Sequence, residues 1–131
     1  MKKAFTVFEI LITMVIISVL GTLAVPAFMR SMEMTYDNNA KADLKLLSSA
    51  EKTYYIDMNS YYVSPYNDSQ PQELILDLNN VLGLGLPAGA NRKWNYETDT
   101  SGCVWATRYG GDSRTWHMAI GDADVSSGAC S

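Results

Sequence analysis

Apolar positions are spread very unevenly along the chain. Residues 5 to 29 carry one charged side chain, Glu9, and the run from Ile10 through Met29 carries none. A membrane-spanning helix needs about 20 predominantly apolar residues, so this segment is long enough to cross a bilayer. It follows Met1, Lys2 and Lys3. The positive-inside tendency keeps such a short basic start in the cytoplasm and sends the remainder outward.

Past Arg30 the chain turns polar while apolar residues keep helical spacing. Tyr36, Ala40, Leu44, Leu47, Ala50 or Glu51, Tyr54 and Met58 recur at three- or four-residue intervals, the mark of an amphipathic helix that continues beyond the membrane. Asp43, Lys41 and Lys45 are expected on its solvated flank. Asn59 and Ser60 follow the aromatic stretch and should end the helix by local side-chain hydrogen bonding.

Residues 64 to 90 read as a connector with Pro65, Pro71 and Pro87, holding one short helix marked by Leu74, Leu78 and Leu82 and starting near Ser69 and Pro71. Gly83-Leu84-Gly85-Leu86-Pro87 has no following Lys-Ser/Thr and no preceding strand, so it reads as a turn and not a phosphate loop. Alternation at Trp94, Tyr96, Thr98, then Cys103, Trp105, Thr107, then Trp116, Met118, Ile120 predicts three strands. Turns at Thr100-Ser101-Gly102 and Gly110-Gly111-Asp112-Ser113 join them into an antiparallel sheet packed on the amphipathic half of the helix. The predicted class is α+β.

Composition narrows the function. The chain has 131 residues and a formal net charge of -4, room for one small head and an anchor, with no overall basic balance for nucleic-acid phosphates. Two cysteines, Cys103 and Cys130, stand in the last third. An even pair in a Gly-, Ser- and Asp-rich setting favours a disulfide in an oxidising compartment over two separate buried thiols. His117 is the one histidine, and it supports neither a Ser/His/Asp nor a Cys/His arrangement. Asp112, Asp122 and Asp124 do not match an EF-hand loop. No catalytic, cofactor-binding or metal site is expected.

Glu9 separates a plain anchor from something more specific, because a carboxylate at the bilayer centre costs on the order of 2 to 3 kcal/mol by insertion scales. A secretory signal peptide would have a shorter apolar run, no such acid and a small-residue cleavage box. The stretch Lys2-Lys3-Ala4-Phe5-Thr6-Val7-Phe8-Glu9-Ile10-Leu11-Ile12 resembles the class III signal of type IV prepilins and pseudopilins. Thr6 and Pro26 also match that family's pattern. The family usually has glycine where this chain has Ala4, and a common helix glycine is Ser18 here, with Gly21 one turn later.

The resemblance implies a leader of residues 1–4 cut by a prepilin peptidase between Ala4 and Phe5, N-methylation of Phe5, a hydrophobic helix over 5–29, and a head over 30–131. It implies that Glu9 directs filament assembly, that Pro26 bends the helix, and that Cys103 and Cys130 bound a carboxy-terminal loop. The implied fold is the type IV pilin fold. The implied partners are further copies of the chain, the pilus assembly machinery, and the inner membrane before assembly. Direct nucleic-acid binding is not expected. The implied use is an extracellular filament for adhesion, twitching motility or DNA uptake. A type II secretion pseudopilin and a ligand-binding minor pilin are the alternatives. Losing Lys2 and Lys3 with the leader would make the chain two charges more negative.

Overall fold

The computed structural model describes residues 5–67, 69–128 and 130; Ala4 therefore lies outside the described residues. Helix α1 runs over Val7–Met58, helix α2 over Pro71–Leu82, and strands β1 to β4 over Trp94–Thr98, Cys103–Arg108, Thr115–Ala119 and Ser126–Ser127. The chain divides into two compact units, one ending at Tyr36 and the other beginning at Asp37.

In the first unit, α1 is long and apolar enough to cross a membrane by length and composition, and none of its apolar window is buried within the chain. Large side chains such as Phe8 and Leu23, each 71% exposed, face outward. The helix is intact on both sides of Pro26, where the ring removes one backbone donor to the preceding turn.

In the second unit, the remainder of α1 contributes Ala40, Leu44 and Leu47 to the core, each fully buried. Leu74, Ile75 and Leu78 of α2, Leu86 of the chain that follows it, and Trp94, Tyr96, Val104, Ala106 and Met118 of the sheet join it. The sheet is an antiparallel meander in the order β1-β2-β3-β4. Because strand side chains alternate between faces, Val104 and Ala106 point into the core while Cys103, Trp105 and Thr107 stand on the outer face.

The α1 stripe follows the expected spacing from Ala40 to Glu51, which fills the position expected of Ala50 or Glu51, whereas Met58 at its end is exposed. The charges expected on a solvated flank are engaged instead: the Tyr96 hydroxyl donates to Asp43 at 2.5 Å, and Lys41 lies 4.0 Å over the Trp116 ring. Burying Tyr96 required an acceptor for its hydroxyl, and Asp43 on the facing helix supplies it.

Helix α1 stops where expected, with Asn59 at φ 53°, a conformation that asparagine tolerates better than most residues. Helix α2 begins one residue later than the Ser69 start: Gln70 occupies the N-cap without a side-chain cap hydrogen bond. Pro71 fills the first turn, where a missing N–H costs nothing. Gly83 ends α2 in the left-handed conformation, so the Gly83–Pro87 segment is a turn as expected. The strand pair Ser126–Ser127 is too short and polar to have shown an alternation.

Gly102, at φ 82°, closes the β1–β2 hairpin, and a Cβ there would lie 2.7 Å from the Tyr61 ring. Tyr61 in turn stacks on Tyr55 at 4.6 Å between centroids. The hairpin turn is thus seated on the aromatic end of α1.

Cys103 and Cys130 form a disulfide with 6.5 Å between Cα atoms and 27 residues between them in sequence. Closing such a loop contributes about 3 to 4 kcal/mol in the chain-entropy picture. Cys103→Ser should therefore lower head stability by about that amount and drop the thermal midpoint by more than about 10 °C. Equal melting curves with and without reductant would remove this role.

Candidate functional site

The amino-terminal turn of α1 is built from Thr6 and Glu9. The Thr6 hydroxyl accepts the Glu9 backbone N–H at 3.3 Å, and the Thr6 carbonyl accepts the N–H groups of Glu9 and Ile10 at 3.1 and 3.3 Å. Thr6 is thereby the N-cap and Glu9 the third helical residue, the Thr-x-x-Glu spacing of a capping box. The negative side chain also suits the positive end of the helix dipole. Thr6 and Glu9 are thus brought together, and the spacing that announces it stands openly in the sequence.

Further along, the Thr13, Ser18 and Thr22 hydroxyls donate to the carbonyls of Ile10, Met14 and Val19 at 2.8, 2.8 and 2.7 Å. Polar side chains that would be costly in lipid are thereby satisfied by the helix itself. Glu9 differs from them: its carboxylate has no side-chain partner among the described residues. One unpaired acid remains at the start of a helix that is otherwise apolar and uncharged to Met29.

In the head, several charged side chains are held by ion pairs and hydrogen bonds. Asp37 pairs with Arg114 at 2.7 Å, and Arg114 also meets Asp112 at 2.7 Å. Asp124 pairs with Lys45 at 3.1 Å, and Asp122 accepts the Ala119 N–H. His117 Nδ1 donates to the Gly128 carbonyl at 3.0 Å, so it ties the tail to β3. No group of three or more His, Cys, Asp or Glu suited to a metal occurs among the described residues.

Two carboxyls are shifted upward. Burial raises Asp43, only partly offset by the Tyr96 hydrogen bond. Burial likewise raises Glu51, partly offset by the Tyr62 N–H. Glu51 is fully buried, its Oε2 accepts Tyr62 N–H at 2.9 Å, and its Oε1 is buried without a partner. Asp99 moves the other way: burial acts to raise it, but hydrogen bonds from the Ser101 hydroxyl and from the backbone of Cys103, Ser101 and Gly102 hold it below the ordinary carboxylate range.

Among curated proteins, the type IV major pilin protein PilA of Myxococcus xanthus is 30% identical over 60 residues, which is 46% of this chain and 27% of that protein. The match supports a type IV pilin relationship. The chain spans about a quarter of the length of that relative. No protein-family model matches the chain, and no solved structure matches it significantly. The long apolar helix, small antiparallel sheet and carboxy-terminal disulfide match the pilin fold.

The buried Glu51 gives the head a pH dependence of known sign. Its folded pKa lies above the ordinary 4.5, so the folded state binds the proton more tightly and loses stability as pH rises from about 4.5 through the raised value. Glu51→Gln should flatten that loss in melts recorded between about pH 4 and 7. An unchanged pH profile in the variant would show that Glu51 does not carry it.

Proposed function

We propose that the chain is a structural subunit of a type IV pilus. A prepilin peptidase cuts between Ala4 and Phe5, the new Phe5 amine is methylated, and the helix over 5–29 holds the subunit in the inner membrane until it joins the filament. The Glu9 carboxylate of one subunit then neutralises the Phe5 amine of a neighbour. The apolar surface that faced lipid is buried against other copies, and the pilus assembly machinery drives the transfer. Pro26, lacking a donor to the preceding turn, is the point where the helix bends during packing.

The observation that carries this reading is the unpaired Glu9 on an exposed apolar helix whose other polar side chains satisfy themselves. In a low-dielectric filament axis an isolated carboxylate or amine is strongly unfavourable, so pairing them fixes the axial register. The similarity to a major pilin points the same way. The disulfide favours a pilin over a type II secretion pseudopilin, since major pseudopilins more often hold that region with calcium. The resulting filament would serve adhesion, motility or DNA uptake.

Glu9→Ala should leave the head folded and the protein in the membrane while reducing sheared filament yield by at least about tenfold, and Glu9→Asp should retain more filament than Ala. Filaments of wild-type yield and length from the alanine variant would contradict the role given to Glu9.

A further inference from the structure

Cations are spread unevenly over the head. Antiparallel pairing sets Trp94 opposite Arg108, and the Lys93 carbonyl accepts the Tyr109 N–H at 2.9 Å and Arg108 Nη1 at 3.3 Å. The start of β1 and the end of β2 therefore bring Arg92, Lys93, Arg108 and Tyr109 together. The Arg108 N–H in turn donates to the Arg114 carbonyl at 2.9 Å, and Arg114 holds Asp37 and Asp112. These cationic side chains stand at one end of the sheet, beside the residue at which the second compact unit begins. The opposite end is closed by the Asp99 hairpin and the Asp122 turn.

What the cluster presents suits an interface. Lys93 is exposed, and the exposed Tyr109 ring lies 4.2 Å under the buried Arg92 guanidinium. Arg108 lies 5.5 Å over the Trp94 ring. Stacking of this kind keeps rings and guanidinium planes in place. Tyrosine, lysine and arginine are the side chains that settle at the headgroup layer of a bilayer, with an apolar body inward and a polar tip in water. Lys93, Arg108 and Arg114 also hold contacts within the chain; surface contacts between charges are weak, so the cluster keeps its response to an anionic surface. The whole chain is acidic, with a formal net charge of -4, which makes attraction to such a surface a property of this end and not of the molecule at large.

We propose that this end of the head docks on the anionic phosphate headgroups of the membrane that holds residues 5–29, with Lys93 and Arg108 on the phosphates and Tyr109 in the headgroup layer. This docking rests on the reading of residues 5–29 as a membrane helix and adds an electrostatic contact to the apolar one. Asp37 follows Met29 by eight residues, about 12 Å of helix, a length comparable to one headgroup layer and one Debye length. The tether therefore presents the cluster to that surface at high effective concentration, and a few cations suffice. Asp99 and Asp122 at the opposite end are repelled by the same surface, which sets the sense of docking. Free nucleic acid offers similar phosphates without the tether. Entry into a filament then has to break this contact as well as withdraw the helix from lipid.

The full chain would be placed one copy per nanodisc of phosphatidylcholine, alone or mixed with phosphatidylglycerol, with a trace of lipid spin-labelled at its headgroup. Paramagnetic broadening of the Gly110 and Gly111 amide signals should be at least about threefold stronger in the anionic discs and should fall to the neutral level in about 0.5 M salt. Broadening at Ser101 and Gly102, at the opposite end, should stay low in both. Lys93→Glu and Tyr109→Ala should each remove at least about half of the gain while the head keeps its cooperative melt; Lys52→Glu, outside the cluster, should leave the gain intact. Equal broadening in neutral and anionic discs, or a gain untouched by both cluster variants, would overturn the docking and leave the membrane helix standing. A gain that needs two copies per disc would overturn it as well, as would tighter binding of a short DNA duplex or of glycerol phosphate than of the anionic disc. A chain that enters neither disc would sink the membrane helix, and the docking with it.

Discussion

The apolar surface of residues 5–29 has no cover among the described residues of the chain, and the rest of the protein has to be understood with that surface open. Hydrophobic side chains left in water at this density draw a chain into lipid or onto other copies of itself. The helix is prepared for either setting, because Thr13, Ser18 and Thr22 bond its own carbonyls. Glu9 is the exception that gives the helix direction. It caps the helix dipole through its position beside Thr6, and its charge remains available to a partner.

The head solves a different problem, since a small domain buries little apolar area and gains from additional ties. Tyr96 fills the centre of the core and its hydroxyl is satisfied by Asp43 on the facing helix. Glu51 bonds the Tyr62 N–H across the end of α1, and the Cys103–Cys130 bridge holds the tail to the sheet. These contacts tie α1 to the sheet and to the chain that follows it, and the tail to the sheet.

Much of this was legible because long-period patterns are strong signals. The apolar run, the stripe from Ala40 to Glu51 and the alternations of the three strands each extend over several residues and agree with their flanking turns, although in β2 it is Val104 and Ala106 that face the core. What was hidden depended on long-range contacts. Nothing local marks Asp43 or Lys41 as packed, because Tyr96 and Trp116 reach them from the sheet. The spacing left Ala50 and Glu51 both open for one core position, and Glu51 fills it with its Oε2 on the Tyr62 N–H. The Gln70 start of α2 lacks the usual hydroxyl cap, and two serines offer no alternation to reveal β4. The capping role of Thr6 was visible in its spacing from Glu9, though that spacing also belongs to the resemblance that drew attention to it.

The central claim, that this apolar helix becomes the shared core of a polymer, is tested most directly by the mass and first residue of the protein sheared from cells. The account requires filaments whose subunits lack residues 1–4 and begin with methylated Phe5. A soluble monomer beginning beyond Met29 would contradict it.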